Sequence, residues 1–83
     1  DFFVNKGVEL LKQNNYPGAI DKFTKALGID SANVNALMNL SICYINMKDW
    51  GNALNYAEKA LTISPENVQA KQNLEFIRSN NKK

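Results

Sequence analysis

Apolar and small residues recur at three- and four-residue intervals through almost the whole chain, the spacing of a buried helical stripe. One set runs Phe3, Gly7, Leu10 and a second Ala19, Ile20, Phe23, Ala26, Leu27. A third runs Leu37, Leu40, Ser41, Tyr44 and a fourth Ala53, Leu54, Ala57, Ala60, Leu61. The second pair of sets copies the first at a distance of 34 residues. "NYPGAIDKFTKALGID", residues 15–30, returns as "DWGNALNYAEKALTIS", residues 49–64, with Tyr16 in the place of Trp50 and Ile29 in the place of Ile63. Asn5, Asn39 and Asn73 share a column, as do Leu40 and Leu74, Val34 and Val68, Ala36 and Ala70, and Asn33 and Asn67. The third copy stops after one helix, so two and a half units are present. Between the stripes, Asn15 and Asp49 can cap the helix that follows, and Pro17 fits a first turn, where a missing N–H costs nothing. Asn33 and Asn67 are caps for the next first helices, and Pro65 ends the second unit. The pattern predicts helices near 2–14, 17–29, 34–47, 50–63 and 67–79.

A repeat of this length is the signature of stacked helix pairs, each leaving a face that the next pair buries. Gly7 and Ser41 are expected where the two helices of a unit approach closely, with Ala19 and Ala53 opposite. Ala26 and Ala60 would let the following helix nest, while Phe23, Tyr16 and Trp50 fill the remaining core.

These residues resemble the tetratricopeptide repeat, whose pattern is Trp-x2-Leu-Gly-x2-Tyr followed by Ala, Phe, Ala and Pro at fixed offsets. The second unit supplies Leu37, Leu40, Ser41, Tyr44, Ala53, Ala57, Ala60 and Pro65 at those places, and the first Phe3, Lys6, Gly7, Leu10, Ala19, Phe23, Ala26 and Ser31. Lys6 departs from the apolar residue expected there, as suits an edge with no preceding neighbour. Lys71, Glu75 and Arg78 stand in the last helix where Trp, Gly and Tyr would be, as suits a capping helix with one wet face. The resemblance implies an all-α fold, a right-handed α-solenoid of about five antiparallel helices. It divides one domain, 1–83, into repeat one (1–33), repeat two (34–67), a capping helix (68–79) and a polar tail (80–83).

Composition narrows the function. Eighty-three residues make one small domain, and 45% hydrophobic with 22% charged content is ordinary for a folded chain. A net charge of +2 gives no nucleic-acid footprint, which would need Lys and Arg clustered on one face. One Cys cannot form an internal disulfide, which suggests a reducing, cytoplasmic (intracellular) setting. No run reaches the ~18 apolar residues of a membrane span, and no signal-peptide pattern opens the chain. The start at Asp1 suggests a domain excised from a larger protein.

Little chemistry is on offer. Without His, neither Ser–His nor Cys–His nucleophiles can form, and one Cys without His makes no usual zinc site. The four glycines form no phosphate loop, and Asp21, Glu58 and Glu75 are expected on solvated faces. Cys43 reads as a small buried residue, Tyr16 and Trp50 as core fillers. The reading is a non-enzyme without cofactor or metal.

The resemblance also implies where a ligand would sit, on the concave surface lined by the first helix of each unit. The matching positions are Val4, Asn5, Val8, Leu11 and Lys12, then Asn35, Met38, Asn39, Ile42, Ile45 and Asn46, then Gln69, Gln72, Asn73 and Phe76. Val4, Val8, Leu11, Met38, Ile42, Ile45 and Phe76 make an apolar floor, and the Asn5–Asn39–Asn73 ladder offers amides that both donate and accept. The plain structural alternative is that the asparagines tie neighbouring helices together and a missing flanking segment covers the floor. Co-chaperones of the family that grip acidic chaperone tails use a Lys, Asn, Asn, Lys, Arg clamp, and the corresponding residues here are Val4, Val8, Asn39, Gln69 and Asn73. Only Asn39 agrees. The expected function is therefore a module binding a protein or peptide by apolar and amide contacts. Self-association as a homo-oligomer is a rival structural reading; helical-repeat RNA binding is a weaker one, opposed by the 34-residue period and the lack of a basic groove.

Overall fold

The computed structural model describes residues 1–81, which form five helices: α1 (Phe2–Lys12), α2 (Tyr16–Ile29), α3 (Val34–Asn46), α4 (Trp50–Ile63) and α5 (Val68–Asn81). Each begins on a side-chain cap or an equivalent turn. Asn15 Oδ1 accepts from the Gly18 N–H at 3.0 Å, Asn33 from Ala36 at 3.1 Å, Asp49 from Asn52 at 3.3 Å and Asn67 from Ala70 at 3.0 Å. Asp1, not foreseen as a cap, accepts from Phe3 at 2.9 Å and Val4 at 3.2 Å.

α1 and α3 end earlier than the apolar pattern suggests. Asn14 and Lys48, equivalent in the repeat, adopt left-handed backbone conformations with φ of 61° and 60°. The Asn15 N–H then bonds back to the Leu10 carbonyl and that of Asp49 to Tyr44, both at 2.9 Å. Asn14 and Lys48 donate to Leu11 and Ile45, completing a doubly bonded C-terminal cap in each unit. One residue thus ends a helix while starting the next, giving a three-residue connection. α5 runs two residues past its expected end, with Asn80 Nδ2 donating to the Phe76 carbonyl at 2.7 Å. The expected tail at 80–83 is therefore helical through Asn81, and its last two residues lie outside the described residues.

α1 packs on α2 and α3 on α4 as antiparallel pairs, with α2 against α3 and α4 against α5. Among the described residues, the backbones of α1, α3 and α5 also approach one another in sequence, whereas those of α2 and α4 do not. The first helices thus form a closed inner row and the second helices a splayed outer one. The stack measures 34 × 26 × 17 Å.

Small residues set the spacing. A Cβ on Gly7 would lie 2.5 Å from Phe23 Cε1, so the Phe23 ring fills the volume a side chain would take. In the second unit Ser41 replaces Gly7 and Ala57 replaces Phe23. Buried Ser41 Oγ donates to the Ala53 carbonyl at 2.9 Å. Ala19, Ala26, Ala53 and Ala60 are all 0% exposed, as the nesting argument expects. Tyr16 and Trp50 depart from expectation: both are only half-buried. The Tyr16 hydroxyl donates to Asn14 Oδ1, and Trp50 lies at the edge of the Ala53–Ala57–Ile77 cluster with its ring 6.2 Å from that of Phe76. Standing first in their helices, they sit at the rim of the helix pair, where water reaches one face.

Gly7→Ala is expected to destabilise the domain by about 1–3 kcal/mol through overpacking. Phe23→Leu, costly alone, should recover part of that loss in the double variant. Chemical denaturation of the four-member cycle measures this, and simple additivity would show that the two positions do not compete for space.

Candidate functional site

The residues predicted to line the inner surface come from α1, α3 and α5, the helices of the inner row, at spacings that share one helical face. Their burial is uneven. Asn5, Lys12, Asn35, Asn46, Gln69 and Gln72 are exposed. Val4, Val8 and Leu11 are half-buried against the cluster containing Phe23, Ala36 and Leu40. Ile45 rests on the Ala53–Ala57–Ile77 cluster, while Ile42 is half-buried outside every cluster.

Met38 corrects the expected floor. It is 8% exposed and belongs to a core cluster with Leu37, Ala60 and Ala70. The 0%-exposed Ala70 brings α5 close over α3, so folding itself consumes this part of the floor. Phe76, 52% exposed, is the most open of the apolar residues predicted for the floor, and Ile42 is half-buried.

The asparagine ladder is not uniform. Asn5 is exposed. Asn39 Nδ2 donates to the Asn35 carbonyl of its own helix at 2.9 Å, as Asn46 Nδ2 does to Ile42. The Asn39 bond stays within α3 and does not tie it to a neighbour. Asn73 Nδ2 is enclosed without a hydrogen-bond partner. A nitrogen shut away from water is shut away from a ligand too, so Asn73 does not match the donor role given to it.

The remaining candidate chemistry is absorbed by packing. Cys43 is 0% exposed, and burial pushes its thiol up to about 11, against a smaller lowering by a backbone hydrogen bond. Burial also raises the Tyr44 hydroxyl, with Tyr56, Asp49 and Cys43 adding to the effect. Among the described residues, no three His, Cys, Asp or Glu side chains converge as a metal site would require, and no helix is long and apolar enough to cross a membrane. The ion pairs among the described residues, Lys6–Glu9, Lys22–Asp21 and Lys25–Asp21, involve none of the inner-surface positions.

Sequence reasoning passed over Ile77, which is 0% exposed and joins α5 to Ala53 and Ala57. The repeat could have found it, since it falls 34 residues after buried Cys43. Two clefts beside α4 were also missed. One of about 490 Å³ is lined by Glu58, Leu61, Thr62, Leu74 and Arg78, and one of about 340 Å³ by Ser31, Leu37, Lys59, Thr62 and Ile63.

This geometry defines a right-handed α-solenoid whose helix pairs repeat along the chain. Residues 34–67 match the family model of the tetratricopeptide repeat. Over these residues the chain carries a tetratricopeptide repeat. It is 40% identical over 52 residues to the heat shock protein sti1 homolog of Schizosaccharomyces pombe, an alignment covering 63% of this chain and 9% of that protein. It superposes on the UNC-45 chaperone, studied for binding and folding muscle myosin, with a TM-score of 0.89 at 30% identity, over 96% of this chain and 9% of the other. The TPR domain of Arabidopsis OM64 gives a TM-score of 0.92 at 24% identity, over 95% of this chain and 65% of that one. The C-terminal TPR-containing domain of a Plasmodium falciparum FK506-binding protein gives 0.87 at 29% identity, over 96% and 53%. The chain thus spans about a tenth of the length of the sti1 homolog and of UNC-45. Tetratricopeptide repeats are in general protein-interaction modules.

Two measurements probe this site. Asn73→Leu removes an enclosed, unpartnered amide and is expected to leave stability unchanged or raise it by about 1 kcal/mol. A clear fall in Tm would mean that the amide is bonded in solution. For Cys43, the raised folded pKa favours the protonated thiol in the native state. Its contribution to stability is full below the ordinary thiol value of 9.0 and is lost as pH climbs toward about 11. Denaturation midpoints should fall more steeply across that window in the parent than in Cys43→Ala, and equal slopes would show a solvated thiol.

Proposed function

We propose that the chain is a protein-interaction module that holds a peptide or partner helix along its inner row of helices, within a larger protein or assembly. The observation that carries this reading is the chemistry of the exposed inner surface: apolar Ile42 and Phe76 among Asn5, Asn35, Asn39, Asn46, Gln69 and Gln72, with Lys12 the one charged residue among the fifteen positions. Amides can match a peptide backbone in either sense, and half-open apolar side chains receive apolar anchors.

The ligand chemistry differs from that of the acidic-tail clamp. Val4, Val8 and Gln69 stand where cations and a first asparagine would be, Asn73 stands in the place of an arginine, and only Asn39 agrees. The similarity to an sti1 homolog supports a protein ligand and says nothing of which one. On this reading the partner presents apolar side chains, and a terminal carboxylate contributes nothing.

The test titrates one peptide, selected from a display library on the immobilised domain, as acid and as amide at low and moderate salt. Affinity should differ little among the four conditions, because exposed ion pairs are not its source. Ile42→Asp should weaken binding about tenfold or more by placing an unpaired charge against the ligand, while Lys25→Ala on α2 should not. A strong preference for the acid that fades with salt would overturn the reading.

A further inference from the structure

The repeat makes the chain its own template for one surface that the inner groove does not use. Leu27, Leu40 and Tyr44 line a slot at the α2–α3 junction, and Tyr56 of α4 packs against the same cluster. Tyr56 of α4 is the residue that closes this slot. Its ring lies parallel to that of Tyr44, with centroids 5.8 Å apart, and it packs against both the Leu40 and the Leu37 clusters. Lys59 Nζ lies over the outer face of the same ring, 5.4 Å from its centroid.

Thirty-four residues on, the equivalent positions are Leu61, Leu74 and Arg78, and they line the cleft of about 490 Å³ between α4 and α5. It is shallow and open, the shape of a surface that a helix could lie on and not of an enclosed pocket. Leu40 is 0% exposed in the filled slot, whereas its counterpart Leu74 is half-buried in the open one; Leu27 and its counterpart Leu61 are half-buried in both. Two charged residues stand in the cleft wall: Arg78 takes the place of Tyr44 and Glu58 that of Thr24. Neither belongs to any ion pair among the described residues.

We infer that this cleft docks an amphipathic helix from a partner, one carrying an aromatic residue that packs between Leu61 and Leu74 and stacks on the Arg78 guanidinium. The aromatic follows from the template, in which Tyr56 occupies the equivalent corner. The guanidinium supplies a planar cation in place of the Tyr44 ring, and an aromatic face suits either. A basic residue on the same helix, as Lys59 follows Tyr56, meets Glu58, which is in no ion pair among the described residues. The docking surface continues the α2–α3–α4 interface, because α4 both fills the first slot and walls the second.

The probe is an acetylated, amidated peptide of residues 49–64, the sequence that fills the first slot, titrated into the isotopically labelled full chain. Backbone NMR shifts should move at Glu58, Leu61, Thr62, Leu74 and Arg78, with those of Val8, Ile42 and Phe76 unchanged. The exposed Arg78→Ala should weaken binding about three- to tenfold without loss of helical circular dichroism. A peptide with Tyr56→Ala, which leaves the protein untouched, should weaken it at least as much. Shifts centred on Val8, Ile42 and Phe76 would place the peptide in the inner groove and overturn the inference. So would shifts at α2 and α3, which would mean exchange with the chain's own α4. Concentration-dependent broadening at the cleft without peptide would make the occupant a second copy, and no shift at millimolar peptide would leave the cleft without this ligand. Because the groove and the cleft are read from different residues, failure of one leaves the other standing.

Discussion

Two helices can pack with their backbones close only where one of them gives up side-chain volume, and here that constraint is met by opposite exchanges in the two units. In the first, Gly7 carries no side chain and the Phe23 ring presses into the vacated space. In the second, the bulk at the outer position is given up instead: Ala57 stands for Phe23, and Ser41 uses the room to donate a hydrogen bond to the Ala53 carbonyl. The second pair is smaller in total, because a hydroxymethyl and a methyl group do not replace a benzyl group. The second arrangement leaves space that neither helix fills, and Ile77 of α5 fills it, 0% exposed against Ala53 and Ala57. α5 therefore completes the core of the second unit and is not an appendage to it.

The same dependence on neighbours appears along the inner row. Phe2, Lys6 and Glu9 occupy the positions that Ala36, Leu40 and Cys43 occupy in the second unit and Ala70, Leu74 and Ile77 in the last helix. The second set is buried throughout, with α2 against it. The first has no such partner among the described residues: Phe2 is 66% exposed, and Lys6 pairs with Glu9 at 3.5 Å on the surface. Burial in this architecture belongs to the junction between helices more than to the residue, as expected when each unit touches only the next.

That dependence explains what could and could not be seen in the sequence. The helices, their order and the caps at Asn15, Asn33, Asp49 and Asn67 follow from local chemistry and a visible period, and they are where the pattern puts them. The early ends of α1 and α3 turn on left-handed residues, and Lys48 carries no propensity that announces one; only its register with Asn14 hints at it. The inner-surface positions were legible as one helical face, but their exposure was not. Met38 shares a column with half-buried Val4 and exposed Gln72, and only the approach of α5 over Ala70 decides that it is core. Trp50 was misplaced for a related reason. A large aromatic in a conspicuous column invites burial, but as the first residue of α4 it meets Phe76 at a rim that water shares.

The scaffold and the proposed recognition surface occupy different faces of the same helices, so they are free to vary separately. The columns that define the family, Gly7/Ser41, Ala19/Ala53 and Ala26/Ala60, are shut inside and set the spacing of the stack. The inner-surface residues leave that spacing alone as long as they stay out of the junctions, and Met38 marks where the two sets meet. A chain can therefore keep this fold while Val4, Gln69 and Asn73 stand where an acidic-tail clamp would carry cations and Val8 where it would carry an asparagine. On the reading proposed above, the fold sets the face along which a partner lies, and the few exposed side chains there decide its chemistry. On this chain those side chains are amides and hydrocarbons, which makes shape and hydrogen-bond matching, more than charge, the basis on which a ligand would be chosen.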